Sequence, residues 1–245
     1  MCECVKYYYF TKYYIKVLDV EYSNMIVIDS NFKNDDEYCK MIYVNNNSLS
    51  KELCYEFISK FNAESGKYKG VTLGGVNVNI KDTYDYVIKP NEEVWKQYCS
   101  TLRDELEFNI HEYNKQVNDV EDYKQKYNNT TVSDYKIGSV SFDNLTIDTF
   151  MIQRYNKNEG RYTYHNDYVN DQRRKKMRIL TFIFYLNDVE VGGETTFSGR
   201  YQIKPQTGKL VIFPASWTFP HCGKMPISDN KYIITGWLYE DWTDP

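Results

Sequence analysis

The sequence predicts an α+β chain that is mainly β, with helices first and a sandwich or jelly roll of short strands after them. Before about residue 140 the clearest patterns are two stretches of helical periodicity. After it, the apolar stretches alternate or are short and bounded by turn residues, which is typical of sandwiches and jelly rolls. The chain has 245 residues and no Pro-rich or Gly/Ser-rich linker. We therefore expect one domain, residues 1–245, with 1–140 as helical and strand support and 141–245 as the core.

Two helices are predicted in the first half. The first begins near Ser50, ends near Gly66, and carries one apolar stripe formed by Leu53, Cys54, Phe57, Ile58 and Phe61. The second runs from about Asn91 into the 110s, with a stripe formed by Trp95, Tyr98, Leu102, Leu106, Ile110 and Tyr113. His111 lies beside this stripe and is expected to be a surface or partly buried residue. Residues 114–136 are polar and predict a helix end followed by an exposed loop.

The second half predicts strands that are short and separated by turn signals. They cover residues 149–154, 178–186, 194–197, 208–213 and 232–239. The segment RILTFIFYL, residues 178–186, is apolar nearly throughout and predicts a strand buried on both faces.

Composition excludes several classes of protein. A net charge of −4 argues against a general nucleic-acid binder, and no apolar run is long enough to span a bilayer. The N-terminal MCECVKYYYFTKYYIKVL lacks a small-residue cleavage site, so no signal peptide is predicted and a cytoplasmic location is expected. The six cysteines form no pair of CxxC motifs, which argues against a structural zinc site.

A metal site is predicted around two of the three histidines. In a strand, residues i and i+2 face the same side, so His165 and Asp167 can point to one place. His221 is the third candidate ligand, and two imidazoles with one carboxylate form the facial triad of non-haem Fe(II) oxygenases. Lys231, ten residues further on, opens a strand and could hold a carboxylate at a fixed distance from the metal. The alternative for Lys231 is a strand-entrance lysine that reaches solvent. If buried, it should have an anionic partner.

Residues 150–242 resemble the catalytic core of the 2-oxoglutarate- and Fe(II)-dependent dioxygenases, in particular the prolyl 4-hydroxylase-like branch. The matching segments occur in order and are RYNKNEGRYTYHND, RILTFIFYLND, GGETTF, KPQTGKLVIFP and PHCGKMPISDNKYIITGWL. The earlier segments NNSLSKELCYEFISKF and VWKQYCSTLRDELEF resemble the supporting helices of these domains. The resemblance implies a double-stranded β-helix (jelly-roll) core with N-terminal helices that buttress one sheet.

The resemblance also implies residue roles. His165, Asp167 and His221 match the iron ligands, and Lys231 matches the basic residue that pairs with the distal carboxylate of 2-oxoglutarate. Three tyrosines match positions near the co-substrate or the site, namely Tyr155, Tyr185 and Tyr162. The alternative for each tyrosine is sheet packing, since the chain has 25 of them.

The activity implied is that of a 2-oxoglutarate-dependent dioxygenase, which uses Fe(II), 2-oxoglutarate and O2 with ascorbate as reductant. The expected reaction is hydroxylation of a peptidyl residue, proline first, with conversion of 2-oxoglutarate to succinate and CO2. The expected partner is therefore a peptide or protein, with no membrane. Nucleobase demethylation remains an alternative, disfavoured because no arginine follows His221. A non-catalytic jelly-roll binding module is the other alternative.

A basic segment follows the first two candidate ligands. Residues 171–178, DQRRKKMR, hold five cations. One hypothesis is a basic lid that grips an acidic peptide or a phosphate backbone. The other is a solvated loop.

Overall fold

The computed structural model describes residues 40–117 and 145–241. Helices α1 (Lys51–Ala63) and α2 (Glu93–Val117) lie wholly within these ranges. The strands are β1 Tyr43–Asn45, β2 Tyr68–Lys69, β3 Val71–Thr72, β4 Gly75–Val76, β5 Lys81–Asp82, β6 Tyr84–Val87, β7 Thr146–Ile147, β8 Met151–Tyr155, β9 Arg161–His165, β10 Asn170–Asp171, β11 Lys176–Tyr185, β12 Thr195–Phe197, β13 Tyr201–Ile203, β14 Leu210–Pro214, β15 His221–Gly223 and β16 Lys231–Asp241.

These strands form two main antiparallel sheets. The larger sheet has the order β1-β14-β11-β16-β8-β6-β2, with β10 beside β11 and β7 beside β16. The smaller sheet has the order β13-β12-β15-β9-β5, and β3 and β4 form a separate hairpin. Apart from the hairpins β10–β11 and β12–β13, neighbouring strands of the two main sheets are not consecutive in the chain, which is the arrangement of a jelly roll. The predicted mainly β jelly-roll fold is confirmed.

The central strands of the larger sheet present different chemistry on their two faces. Ile152, Phe182 and Ile234 belong to the core cluster that includes the buried residues of α1 and α2. Their sequence neighbours Gln153 and Thr181 line a cavity on the opposite face. This follows from the two-residue period of a strand, which sends adjacent side chains to opposite sides. The helices therefore cover one face, and the other face is free to build a site.

The helices have the positions that their periodicity predicts. Ser50 caps α1, where its Oγ accepts a hydrogen bond from the Leu53 amide at 3.1 Å. Phe57 of α1 stacks on Trp95 of α2, with ring centroids 6.4 Å apart. The side chains of the apolar stripe of α2 are buried or partly buried. His111 is exposed, in agreement with the prediction of a surface or partly buried residue. The loop predicted beyond α2 falls within residues 118–144, which lie outside the described ranges.

The strand predictions agree with the structure less completely. The strand predicted to be buried on both faces extends over Lys176–Tyr185, but its residues before Leu180 are only partly buried. The short strands β1 to β6 were not predicted individually, although β1, β2 and β6 join the larger sheet and β5 joins the smaller one. No helix in the described part of the chain combines the length and apolar character needed to cross a bilayer.

Candidate active site

Three predicted ligands converge between the sheets. One nitrogen or oxygen atom each from His165, Asp167 and His221 lies within 4.8 Å of the others. The Asp167 carboxylate lies 3.8 Å from His165 Nε2 and 3.5 Å from His221 Nε2. His165 and His221 are direct cross-strand partners of β9 and β15. Strand β9 ends at His165, so Asp167 reaches the site from the following loop rather than by the strand alternation that the sequence suggested.

Both imidazoles are oriented in the same way by their own backbone. Nδ1 of His165 lies 2.8 Å from the carbonyl oxygen of Thr163, and Nδ1 of His221 lies 3.1 Å from that of Phe219. A carbonyl only accepts, so each Nδ1 carries the hydrogen and donates it. Each Nε2 therefore keeps a free lone pair, directed at the other ligands. Burial, together with His221, lowers the pKa of His165 to about 4, so this ring is neutral at pH 7.

The carboxylate of Asp167 is held in its charged form. Burial raises its pKa, but His221, His165 and the hydrogen bond from Thr181 outweigh this and lower the pKa below its usual value. Thr181 Oγ1 donates to Asp167 Oδ2 at 2.8 Å. Hydrogen bonds of this kind orient metal ligands and tune their affinity.

The donor set fits Fe(II). Two neutral imidazoles and one carboxylate on one side of an ion leave further coordination positions open for small ligands. Within the described residues, the group contains no fourth His, Cys, Asp or Glu, which a closed structural zinc site would need.

A cavity of about 310 Å³ adjoins the triad, and Lys231 lies on its wall. Lys231 is 1% exposed, and its Nζ donates to the carbonyl oxygen of Gly193 at 3.0 Å. In the described ranges no carboxylate lies within salt-bridge distance of it, so the anionic partner expected from the sequence is not a protein group there. Burial lowers the pKa of Lys231 to about 7. A buried amine without a protein anion fits the carboxylate of a bound acid such as 2-oxoglutarate.

The three predicted tyrosines occupy different places. Tyr155 lines the cavity, with its ring centroid 3.9 Å from Lys231 Nζ. Burial raises its pKa, so the hydroxyl keeps its hydrogen. Tyr162 also lines the cavity and stacks on His165, with ring centroids 3.5 Å apart. Tyr185 is buried behind the wall and donates to Thr195, which lines the cavity, at 2.6 Å. Direct contact with a co-substrate remains a prediction for all three.

A β-bulge explains the stack of Tyr162 on His165. These residues are three apart, so an ideal strand would put them on opposite faces. The pairing of β9 with β15 matches His165 to His221 and Tyr162 to Gly223, so three steps on β9 oppose two on β15. The extra residue turns Tyr162 to the same face as His165.

Sequence reasoning missed a buried polar group on the cavity wall. Lys81 Nζ and Asp85 Oδ2 form an ion pair at 2.7 Å, with side chains 4% and 1% exposed. Gln153 Nε2 donates to the same Asp85 oxygen at 3.3 Å, and Tyr155 donates to Gln153 Oε1 at 3.4 Å. Lys81 and Gln153 both line the cavity. The segment IKDTYDYV offers no motif that would have identified these residues.

The basic segment divides into a surface part and one cavity residue. Arg174 bridges two carboxylates, Asp171 and Asp148, each at 2.7 Å. Lys176 lies 3.4 Å from Asp241. These ion pairs neutralise part of the segment and favour the solvated-loop interpretation over the lid.

Arg178 behaves differently from the rest of the basic segment. It lines the cavity, and its guanidinium carbon lies 3.6 Å from the Trp237 ring centroid. Its Nε donates to the Tyr239 hydroxyl at 3.1 Å. The register of β11 against β16 shifts between Arg178 and Leu180, and this second bulge turns Arg178 toward the cavity.

The comparisons with known proteins agree with this geometry. Residues 150–239, which contain all three candidate ligands and Lys231, match the model of the 2OG-Fe(II) oxygenase superfamily. The part of the chain that carries the candidate site is thus similar to the 2-oxoglutarate- and Fe(II)-dependent oxygenases. No curated protein sequence matches the chain at a significant level.

The fold is similar to that of several solved prolyl hydroxylases. The chain is similar to a Pseudomonas putida prolyl-4-hydroxylase, with a TM-score of 0.56 and 18% identity over 82% of this chain and 93% of that one. It is similar to a Paramecium bursaria Chlorella virus-1 collagen prolyl hydroxylase bound to 2-oxoglutarate, with a TM-score of 0.54 and 18% identity over 81% of this chain and 96% of that one. A Trichoplax adhaerens prolyl hydroxylase, bound to a hypoxia inducible factor peptide fragment, gives a TM-score of 0.56 and 20% identity over 89% of each chain.

Proposed function

We propose that the protein is a dioxygenase that hydroxylates a prolyl residue of a peptide or protein. The observation that carries this proposal is the convergence of His165, Asp167 and His221, with both Nε2 lone pairs turned toward one carboxylate. These three side chains hold Fe(II). Bound Fe(II) and 2-oxoglutarate supply the oxidising chemistry, in which O2 and 2-oxoglutarate give succinate, CO2 and one oxygen atom for a C–H bond.

Four further side chains on the cavity wall have roles in this proposal. Lys231 pairs with the distal carboxylate of 2-oxoglutarate, and Tyr155 lies beside it on the same wall. Thr181 holds Asp167 in orientation, and Tyr162 holds the His165 ring by stacking. The sheets on either side exclude water from these groups, which strengthens their electrostatic interactions. Ascorbate is the expected reductant.

The residues at the mouth of the cavity suit a peptide substrate that carries proline. Exposed apolar side chains contribute to the cavity lining there, namely Val71, Leu73, Ile80 and Tyr168. They offer a surface for an apolar ring, and Arg178 offers N–H donors for a peptide carbonyl. The peptide fragment bound to the Trichoplax prolyl hydroxylase supports the same substrate class.

Mass spectrometry of prolyl peptides incubated with Fe(II), 2-oxoglutarate and ascorbate tests this proposal. The expected result is a mass gain of one oxygen on proline, accompanied by succinate. The matched control is His165→Ala, which removes one ligand and should abolish both products. A mass gain that persists in His165→Ala would show that the oxygen comes from another reaction.

The alternatives make different predictions in the same assay. A nucleobase demethylase would release formaldehyde from a methylated oligonucleotide and leave the peptides unchanged. A non-catalytic jelly-roll module would form no succinate with either substrate. The three solved structures described above are prolyl hydroxylases, and this favours the peptide.

A further inference from the structure

Gly223 lies in a strand, and its backbone conformation does not require glycine. It closes β15 and pairs on one side with Thr195 and on the other with Tyr162. Its φ is not positive, so a residue with a side chain could adopt this conformation. Glycine within a strand destabilises the fold relative to alanine, because its backbone loses more conformational freedom on folding. Such glycines often mark places where a ligand or another backbone comes close.

The space in front of Gly223 is bounded by the two cavity residues proposed to bind the co-substrate. A methyl group built on Gly223 would lie 3.1 Å from Tyr155 Cε1 and 3.3 Å from its hydroxyl oxygen. It would also lie 3.4 Å from Lys231 Nζ. Those distances are short for a carbon contact, so a side chain here would occupy the gap between the phenol and the amine. Gly223 itself lines the cavity.

The position of Gly223 along β15 relates this gap to the metal ligands. It follows His221 by two residues, so both face the cavity from the same side of the strand. Two residues of a strand span about 6.7 Å. A short acid chain that binds near His221 with one end therefore reaches the gap at Gly223 with its other end.

We propose that Gly223 is a specificity-determining residue, whose missing side chain keeps open the place of the distal carboxylate of 2-oxoglutarate beside Lys231. This inference rests on the proposed function, because it assigns the gap to that co-substrate. It adds a residue to the site that neither the metal triad nor Lys231 requires. It also explains why a buried amine remains accessible to an acid in a closely packed sheet.

Binding of two 2-oxo acids to the Fe(II) protein without oxygen tests the proposal. The probes are 2-oxoglutarate and pyruvate, which share the end that chelates the metal, while pyruvate lacks the distal carboxylate. The readout is the visible absorption band that a 2-oxo acid gives on protein-bound Fe(II). Gly223→Ala should weaken 2-oxoglutarate binding roughly tenfold or more, and Gly223→Val should weaken it further. Pyruvate binding should stay unchanged in both variants.

The control variant is Thr196→Val on the neighbouring strand β12. Thr196 is buried but does not line the cavity, so its replacement should leave the dissociation constant of 2-oxoglutarate unchanged. Thermal unfolding of all variants checks that they fold. Wild-type affinity for 2-oxoglutarate in Gly223→Ala would overturn the proposal, and so would an equal loss for both acids, which would indicate a distorted strand. A wild-type protein that binds neither acid would instead refute the proposed function.

Discussion

At the scale of single residues, the metal ligands were predictable because their chemistry is rare in this chain. There are three histidines, and two of them, with one acid, complete a known donor set. Their orientation also follows a local rule, since each Nδ1 donates to the carbonyl two residues earlier. Lys81, Asp85 and Gln153 were not predictable, because each is an ordinary polar residue until the fold puts Lys81 and Gln153 on the cavity wall and Asp85 in contact with both.

Thr181→Val removes the hydroxyl that donates to Asp167 Oδ2. Because such hydrogen bonds fix the orientation of a metal ligand, Fe(II) affinity should fall roughly tenfold. Metal titration under anaerobic conditions measures this. Thr196→Val is the matched control, since Thr196 Oγ1 is buried without a hydrogen-bond partner among the described residues. Equal affinities in wild type and Thr181→Val would show that Asp167 needs no such support.

The low pKa of Lys231 makes binding of 2-oxoglutarate dependent on pH. Burial lowers this pKa to about 7, so above that pH the ligand-free amine is mostly neutral. A carboxylate favours the ammonium, so binding must take up a proton, and affinity should fall roughly tenfold per pH unit above pH 7. Calorimetry in buffers of different ionisation enthalpy measures that proton uptake. Lys231→Met should bind more weakly and lose the pH dependence, and an unchanged slope in this variant would assign the proton to another group.

The lowered pKa of Lys231 also makes the free energy of unfolding of the ligand-free protein depend on pH. In the unfolded chain Lys231 titrates at its ordinary value of 10.5. Between pH 7 and 10.5 the unfolded state therefore binds more protons than the folded one. The contribution of Lys231 to the free energy of unfolding of the ligand-free protein rises with pH in this window. It is lost as the pH falls toward 7.

At the scale of secondary-structure elements, periodicity predicts the helices better than it predicts the site. A helical stripe extends over many residues, so a single irregular position changes little. A strand face reverses with one extra residue, and bulges in β9 and β11 change the facing of Tyr162 and Arg178. Alternation alone would have placed both side chains away from the cavity.

A buried ion pair joins β5 to β6, and its disruption should lower the free energy of unfolding. Asp85→Asn leaves Lys81 as an unpaired buried cation, and it should lower the free energy of unfolding by about 3–5 kcal/mol. Urea denaturation measures the loss. The double variant Lys81→Met/Asp85→Leu removes both charges and should recover most of the stability. If Asp85→Asn is as stable as the wild type, the pair does not stabilise this wall.

At the scale of the whole molecule, residues from both halves of the chain line the cavity. The family match covers residues 150–239. The cavity, however, is also lined by Lys81, Ile80 and the β3–β4 hairpin, which come from the first half. Strands of two residues carry too little periodicity to be read from a sequence, so this contribution was not predictable. The proposed boundary near residue 140 stays a prediction.

The most direct test of the central claim is an anaerobic titration of the protein with Fe(II) and then 2-oxoglutarate, followed by visible absorption. The account predicts one Fe(II) per chain and a new absorption band on addition of 2-oxoglutarate. His221→Ala should lose the metal and the band together. A wild-type protein that binds no Fe(II), or that binds it equally well without His221, would contradict the assignment of the site.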